Sequence, residues 1–254
     1  MRLTRGMVPG IAAALVISGV ILGVYLVEKQ KSRYDLARRI ADLSPRGGIP
    51  ATIEGLRQAI AIYEEAVEEH VRDAAQTGAY WKILAVRLAD KGMHRDALDA
   101  LDMSIRYNGE DPVLFYLTGV SAAVVAKNAL GFSRDASSPA EFEAERDHYY
   151  AMAERAYTRA VELDNTYAKP RYGLGILYTF ELERPAEAIP QLEKYLELMS
   201  RDVDAMFALA RAYYMTADYQ KAVDLYDRVV VSTKDTAKQT EARNNRDYVL
   251  GLMR

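Results

Sequence analysis

Residues 206–229 read MFALARAYYMTADYQKAVDLYDRV, and this stretch decides the fold. From Met206 to Val229, its apolar and small residues are separated by 3, 1, 3, 4, 5, 4 and 3 positions. Residues 81–104, WKILAVRLADKGMHRDALDALDMS, reproduce the same seven spacings without a gap. Spacings of three and four place side chains on one face of an α-helix. Both stretches therefore predict a pair of amphipathic helices joined by a short turn.

The same pattern returns elsewhere in the chain. A further copy, with one inserted residue, comprises Arg171, Leu174, Gly175, Tyr178, Ala188, Leu192 and Tyr195. The small residue of the pattern recurs 34 positions after Ala85, at Gly119, and 35 positions after Gly175, at Ala210. Self-similarity at such a period indicates helical hairpins that stack, because one hairpin cannot cover its own apolar stripe.

These residues resemble the tetratricopeptide repeat (TPR) family, whose unit is a 34-residue helix–turn–helix. The repeat array covers residues 78–231, and its copies lie at 78–108, 112–165, 168–200 and 203–231. Residues 28–75 are interpreted as membrane-proximal helices with a possible degenerate repeat. Residues 233–253 are predicted to form a capping helix that packs through Ala237, Tyr248, Val249 and Leu252. The resemblance implies an all-α, TPR-like solenoid of helical hairpins.

One copy departs from the family pattern. Between Ala122 and Ala153 the chain has 31 positions, where the regular copies have 9. We therefore expect a hairpin at 112–165 whose helices are each about three turns longer than their neighbours. Its tip would project and expose Phe132 and Phe142. This tip is either a tolerated surface insertion or a second contact element.

The first segment is strongly apolar. Residues 7–27, MVPGIAAALVISGVILGVYLV, contain no charged side chain over 21 positions. A helix of that length rises about 31 Å, which matches the hydrocarbon core of a bilayer. After a short tail at 1–6, we therefore predict a single transmembrane helix that acts as a signal anchor. A cleaved signal peptide is the alternative, although Val24–Glu28 offers no small-residue cleavage site.

The membrane orientation stays open at this point. Basic residues follow the apolar segment, and counting them alone places the body of the protein in the cytoplasm. The six-residue tail, however, resembles the leader of exported signal-anchor proteins. Our interpretation is a single-pass protein of the bacterial inner membrane with its repeats in the periplasm.

Composition and motifs exclude several kinds of chemistry. The 254 residues contain 33 Lys and Arg against 36 Asp and Glu, and residues 28–254 carry a net charge of −5. An acidic body without a basic block is a poor partner for nucleic acid. The chain has no Cys, and its three His residues lack the spacing of a metal site. We therefore expect no metal, no cofactor and no enzymatic activity.

In TPR proteins the first helix of each hairpin lines a concave groove, and the resemblance implies the same here. The candidate groove residues are Lys82, Val86, Tyr116, Val120, Tyr172, Ile176, Phe207, Arg211 and Tyr214. Family members that clamp a terminal carboxylate need Lys and Asn in these rows. Lys82 is present, but Val86 occupies its partner position and Leu117 stands where an amide would be needed. The groove is instead aromatic and aliphatic, and it suits an apolar peptide or an amphipathic helix. Alternatively, these side chains are simply buried by the superhelix or by the long hairpin at 112–165.

The predicted function is a membrane-tethered TPR scaffold or adaptor that recruits a protein or peptide partner at the cell envelope. Tyr172 and Phe207 would be its anchors, and replacing both by Ser would abolish capture while leaving thermal unfolding nearly unchanged. The alternative is a structural subunit of a large envelope machine for secretion, cell-wall synthesis or motility. Such a subunit would assemble through its convex face or through the extended hairpin.

Overall fold

The computed structural model describes residues 38–39, 42, 53–129 and 139–253, and all regular structure within these ranges is helical. The elements are α1 (Ile53–Asp90), α2 (His94–Tyr107), α3 (Pro112–Ala129), α4 (Pro139–Leu163), α5 (Ala168–Ile176), a π-helical turn (Leu177–Glu181), α6 (Pro185–Leu198), α7 (Val203–Met215), α8 (Tyr219–Ser232) and α9 (Thr236–Leu252). The predicted all-α, TPR-like solenoid is therefore confirmed for the described residues.

The helices pack as hairpins in chain order. Helix α3 packs against α4, α5 against α6 and α7 against α8, while α9 packs against α8. Within each hairpin the small residues of the sequence pattern are buried at the contact between the helices, as Ala210 and Ala222 are, both fully. The main core extends from Ala122 to Val249 and is rich in Ala, Leu and Tyr.

The chain divides into two compact units, residues 1–74 and 75–254. In the first unit, Nη2 of Arg39 lies 2.6 Å from Oε2 of Glu65. Helix α1 runs without a break from Ile53 to Asp90. It therefore has no turn at the predicted boundary between segments 28–75 and 78–108, and Gly78 is buried close to Tyr107 of α2.

The predicted membrane segment lies outside the described residues. This applies to the tail at 1–6 and to the helix at 7–27. Among the residues that the structure does describe, no helix combines the length and the apolar character needed to cross a bilayer.

The extended hairpin has the predicted extra length in its second helix. Helix α4, with 25 residues, is about three turns longer than α6 and α8, which have 14 each. Helix α3 ends at Ala129 and has 18 described residues, about one turn more than the 13 of α7. Phe132 lies outside the described residues. The expectation of a fully exposed Phe142 is wrong, because this side chain is half-buried and lines a cavity beside His94 and Asn128.

The inserted residue of the 168–200 copy forms a π-helical turn. Each regular hairpin has a large apolar or aromatic residue near the end of its first helix, and a residue with positive φ follows it by four positions. Gly92 (φ 76°) follows Leu88 in this way, and Ala217 (φ 61°) follows Tyr213. Here Glu183 (φ 52°) follows Tyr178 by five positions. The extra residue is enclosed by a hydrogen bond from the Leu182 N–H to the Leu177 carbonyl, 3.0 Å. A single insertion into a helix is commonly accommodated in this way.

The contacts predicted for the capping helix need a correction. Helix α9 buries Ala242 and Val249, whereas Ala237, Tyr248 and Leu252 are exposed. Ala242 and Val249 are seven positions apart and so share one helix face. Because Tyr248 precedes Val249 by one residue, it points in a different direction, away from the α8 contact.

Candidate functional site

Two adjoining cavities lie along helices α3, α5 and α7, within residues 75–254. Cavity A measures about 300 Å³ and lies between α3, α4 and α5. Cavity B measures about 540 Å³ and lies between α5, α7, α8 and α9. Tyr172 and Ile176 of α5 line both cavities. The two cavities therefore adjoin each other along the first helices of successive hairpins.

Cavity A is a tyrosine-rich, aliphatic site with lysines among its lining residues. The Tyr116 ring lies 6.1 Å from the Tyr157 ring and 5.5 Å from the Tyr167 ring, between ring centroids. Nζ of Lys169 lies 5.9 Å from the Tyr116 ring centroid. The Tyr150 hydroxyl donates a hydrogen bond to Oε2 of Glu181 at 2.5 Å. The remaining lining residues are Val120, Ala123, Val124, Lys127, Gly173 and Leu177.

Cavity B is larger and more strongly aromatic. Its aromatic lining residues are Tyr172, Phe180, Phe207, Tyr214, Tyr226 and Tyr248. The Arg211 guanidinium carbon lies 5.3 Å from the Tyr214 ring centroid, an arrangement typical of a cation–π contact. Nζ of Lys238 pairs with Oδ1 of Asp204 at 2.6 Å. Glu241, Asn245, Ala208 and Val249 complete the lining.

Burial and hydrogen bonding raise the pKa of four tyrosines of the site. Burial raises the pKa of Tyr116, and it also raises the pKa of Tyr172 and Tyr226. A hydrogen bond with Tyr214 raises the pKa of Tyr248. Since tyrosine titrates near pH 10 even when it is solvated, these hydroxyls keep their protons and can donate hydrogen bonds to a ligand.

Seven of the nine predicted groove residues line the two cavities. Tyr116 and Val120 line cavity A, and Phe207, Arg211 and Tyr214 line cavity B, while Tyr172 and Ile176 line both. Most of these side chains are half-buried against the main core, so the fold covers them in part and leaves the rest of their surface open to the cavities.

Lys82 and Val86 are not part of either cavity. Nζ of Lys82 forms an ion pair with Oδ2 of Asp111 at 2.7 Å, which ties α1 to the start of α3. Val86 is exposed to solvent. Both residues lie on α1, which contributes no residue to the lining of cavity A or cavity B. Their assignment to a partner-binding groove stays a prediction.

The sequence reasoning missed several lining residues. Phe180 comes from the π-helical turn, and the one-residue insertion in the 168–200 copy was the signal that could have revealed it. Lys238, Glu241, Asn245 and Tyr248 come from α9, whose inner face the repeat pattern does not describe. Within the described ranges, no cluster of His, Asp and Glu is arranged to hold a metal ion.

Comparisons with known proteins support the repeat assignment. Residues 179–243 match the family model for tetratricopeptide repeats. The fold is similar to MamA, residues 41 to the end, from Desulfovibrio magneticus RS-1, with a TM-score of 0.52, 16% identity, and coverage of 70% of this chain and 95% of that one. The MamA RS-1 ArsTM double mutant gives a TM-score of 0.52 at 15% identity, covering 70% and 96%.

A further crystal structure of MamA gives a TM-score of 0.50 at 18% identity, covering 80% of this chain and 95% of that one. At these identities the likeness concerns the fold alone. A comparison with curated protein sequences found no match.

Proposed function

We propose that this chain is a membrane-tethered TPR scaffold that binds a segment of a partner protein in cavities A and B. The observation that carries the proposal is that two adjoining cavities lie along three successive first helices. Aromatic side chains with both an apolar ring and a polar tip are the residues that dominate protein interfaces. The proposed role is binding without catalysis.

The tether in this proposal is the apolar segment at 7–27. Its length and lack of charge support a membrane helix, and the preferred location is the bacterial inner membrane with the repeats in the periplasm. Deleting residues 1–27 should move the protein from the membrane fraction to the soluble fraction. A full-length chain that already fractionates as a soluble protein would contradict the tether and leave the binding site untouched.

The binding site is tested by side chains that face cavity B without supporting the core. Tyr248 is 61% exposed and Phe180 is 51% exposed, so their loss should not unfold the protein. Affinity purification of the full-length chain from native membranes should recover a partner, and Phe180→Ser with Tyr248→Ser should abolish its recovery.

Tyr80 provides a matched control for this experiment. It is 63% exposed, lies on α1 and lines neither cavity. Tyr80→Ser should therefore leave recovery of the partner unchanged. Recovery of the same proteins by the wild-type chain and by the cavity variant would contradict the proposal.

A structural subunit of an envelope machine is a second candidate, favoured by one observation. Four apolar residues of α1, Ile60, Tyr63, Val67 and Val71, are each more than half exposed. Assembly through this face would make the full-length chain self-associate in detergent, with Val67→Asp and Val71→Asp restoring monomers. A scaffold that recruits its partner transiently should sediment as a monomer both as the wild-type chain and as the Val67→Asp, Val71→Asp variant.

A further inference from the structure

We infer that the π-helical turn Leu177–Glu181 determines what the site binds: an acidic peptide segment with two bulky apolar side chains, one for each cavity. This inference rests on the proposed function and names the class of partner segment that the same site selects.

The π-helical turn supplies different walls to the two cavities. Phe180 lines cavity B and does not line cavity A, whereas Leu177 and Glu181 line cavity A and do not line cavity B. The turn is the point at which α5, shared by both cavities, divides them. A repeat of regular length has one residue fewer here. We therefore expect it to lack one of the two sets of lining residues that the turn supplies, Phe180 for cavity B or Leu177 and Glu181 for cavity A.

The position of the turn is held by contacts on both sides. Glu181 accepts the hydrogen bond from the Tyr150 hydroxyl, which joins the turn to the extended helix α4. The Arg184 N–H donates to the Tyr178 carbonyl at 2.7 Å and closes the turn. Thr179 is only 2% exposed, and its Oγ1 has no hydrogen-bond partner among the described residues. An unsatisfied buried hydroxyl costs stability, so the turn is maintained against a local cost.

Each cavity is large enough to accept at least one bulky apolar side chain. Volumes of about 300 and 540 Å³ lie within the range of about 300–1,000 Å³ that is typical of ligand pockets. Cavity A has aliphatic residues and tyrosine rings in its walls, and cavity B has six aromatic residues. A peptide with one apolar side chain would leave one of the two cavities filled with water.

The charges around the cavities favour an acidic segment. Lys127 and Lys169 line cavity A and Arg211 lines cavity B, and in the part of the chain that the structure describes none of the three forms an ion pair with a carboxylate.

The acids of the site offset this charge only in part. Asp204 is paired with Lys238, and the other two carboxylates, Glu181 and Glu241, leave a net charge of +1 among the lining residues of the two cavities. Across residues 75–254, by contrast, 27 acidic residues outnumber 23 basic ones. Complementary charge across an interface selects the partner and orients it.

The test begins with a random peptide display library selected on the purified full-length chain in detergent. We expect the selected peptides to carry two bulky apolar residues together with Asp or Glu. The best of them is then synthesised beside an analogue in which every acid is replaced by its amide. Fluorescence anisotropy should show that the amide analogue binds at least about tenfold more weakly, and that added salt weakens the acidic peptide.

The turn itself is tested by two variants. Deleting Phe180 gives the repeat its regular length, and this variant should remain helical by circular dichroism but bind the selected peptide at least about tenfold more weakly. Phe180→Ala removes the ring and keeps the turn, so it should lose less affinity than the deletion. If the deletion variant does not fold, Phe180→Ala and Lys169→Gln carry the test, each with an expected loss of about threefold or more.

The outcomes separate this inference from the proposed function. Selection of basic peptides, equal binding of the amide analogue, or unchanged affinity in the Phe180 variants would overturn the inference while peptide binding at the site stands. Failure of every library peptide to bind, or binding that Tyr248→Ser does not weaken, would overturn the proposed function as well.

Discussion

Gly175 of α5 lies so close to Leu192 of α6 that a Cβ atom on Gly175 would overlap Cγ and Cδ2 of Leu192. The ring of Tyr157 is enclosed in a similar way, because a Cβ on Gly119 would lie 2.5 Å from it and a Cβ on Gly173 would lie 2.7 Å from it. These contacts set the spacing of α3, α4, α5 and α6. Since α3, α4 and α5 line cavity A, glycine at 119 and 173 lets these helices approach closely beside that cavity.

Gly175→Ala should destabilise the protein by about 1–3 kcal/mol, because the added methyl group forces Leu192 out of its packed position. Gly251→Ala is the matched control, since a Cβ there meets no atom within 4 Å. In a helix this second change should stabilise by about 0.5–1 kcal/mol. Urea unfolding followed by circular dichroism measures both, and equal effects at the two positions would contradict the packing of α5 on α6.

The spacing of small and large residues was sufficient to predict the hairpins and most of the site. Seven groove residues were found because the repeat places equivalent positions of successive first helices on one side. Lys82 and Val86 occupy equivalent positions in sequence, but their helix lines neither cavity. A repeat pattern predicts which face of a helix a residue occupies. It does not predict which of the helices in the array line a cavity.

Two further features depend on geometry that the sequence pattern does not contain. The inserted residue was visible, but an insertion can form a longer turn, a bulge or a π-helical turn, and packing of Tyr178 and Thr179 in the core decides between them. The orientation of α9 depends on which of its apolar residues fit the surface of α8. Ala242 and Val249 fit there, and this turns Tyr248 toward cavity B.

The turn between the two helices of a hairpin requires positive φ, and this can be tested in both directions. Gly92 has φ 76° and a Cβ there would meet no atom within 4 Å, so Gly92→Ala should cost about 1 kcal/mol from backbone strain alone. Ala217 has φ 61° at the equivalent position, and Ala217→Gly should stabilise by up to about 1 kcal/mol. The two changes should shift the thermal midpoint in opposite directions, and a shift in the same direction would rule out strain as the cause.

Asp202 joins two hairpins, so its replacement should lower the free energy of unfolding by more than the replacement of a residue that only caps a helix. One carboxylate oxygen accepts from the Ala205 N–H at 3.0 Å, and the other accepts from the Tyr195 hydroxyl at 2.6 Å. Asp202→Ala should therefore cost about 2–4 kcal/mol. Asp235 caps α9 by accepting from backbone N–H groups, so Asp235→Ala should cost only about 1 kcal/mol. Similar losses in urea unfolding would mean that the Tyr195 contact contributes nothing.

The protein should lose stability as the pH rises from about 10 to about 12, because Tyr178 and Tyr167 have raised pKa values in the folded state. Burial, assisted by a hydrogen bond to Glu154, raises the pKa of Tyr178 to about 12, and burial raises the pKa of Tyr167 to about 12. An unfolded tyrosine ionises near pH 10, so the unfolded chain releases these protons first. The stabilisation is complete below pH 10 and is lost as the pH rises toward 12.

Tyrosinate absorbance and circular dichroism, recorded together through this range, should change in one cooperative step. Tyr178→Phe removes one of the groups and should make stability less sensitive to pH between 10 and 12. A stability that stays constant through this range would contradict the prediction.

The two predicted anchors, Tyr172 and Phe207, also support the core, and this changes what their replacement should do. The Tyr172 ring lies 5.1 Å from the Tyr195 ring, and the Phe207 ring lies 6.1 Å from the Tyr226 ring, between centroids. Both side chains are half-buried against the main core. Replacing both by Ser should therefore lower the free energy of unfolding by several kcal/mol, in contrast to the nearly unchanged stability expected from the sequence.

The control is the double variant Phe180→Ser and Tyr248→Ser in the same cavity. Both side chains are exposed, so their replacement should together cost less than about 1 kcal/mol. Urea unfolding of the two double variants separates the cases, and equal losses would mean that Tyr172 and Phe207 are not packed as the structure shows. Because of this difference, a loss of partner capture by the Tyr172 and Phe207 variant is informative only at temperatures where the variant remains folded.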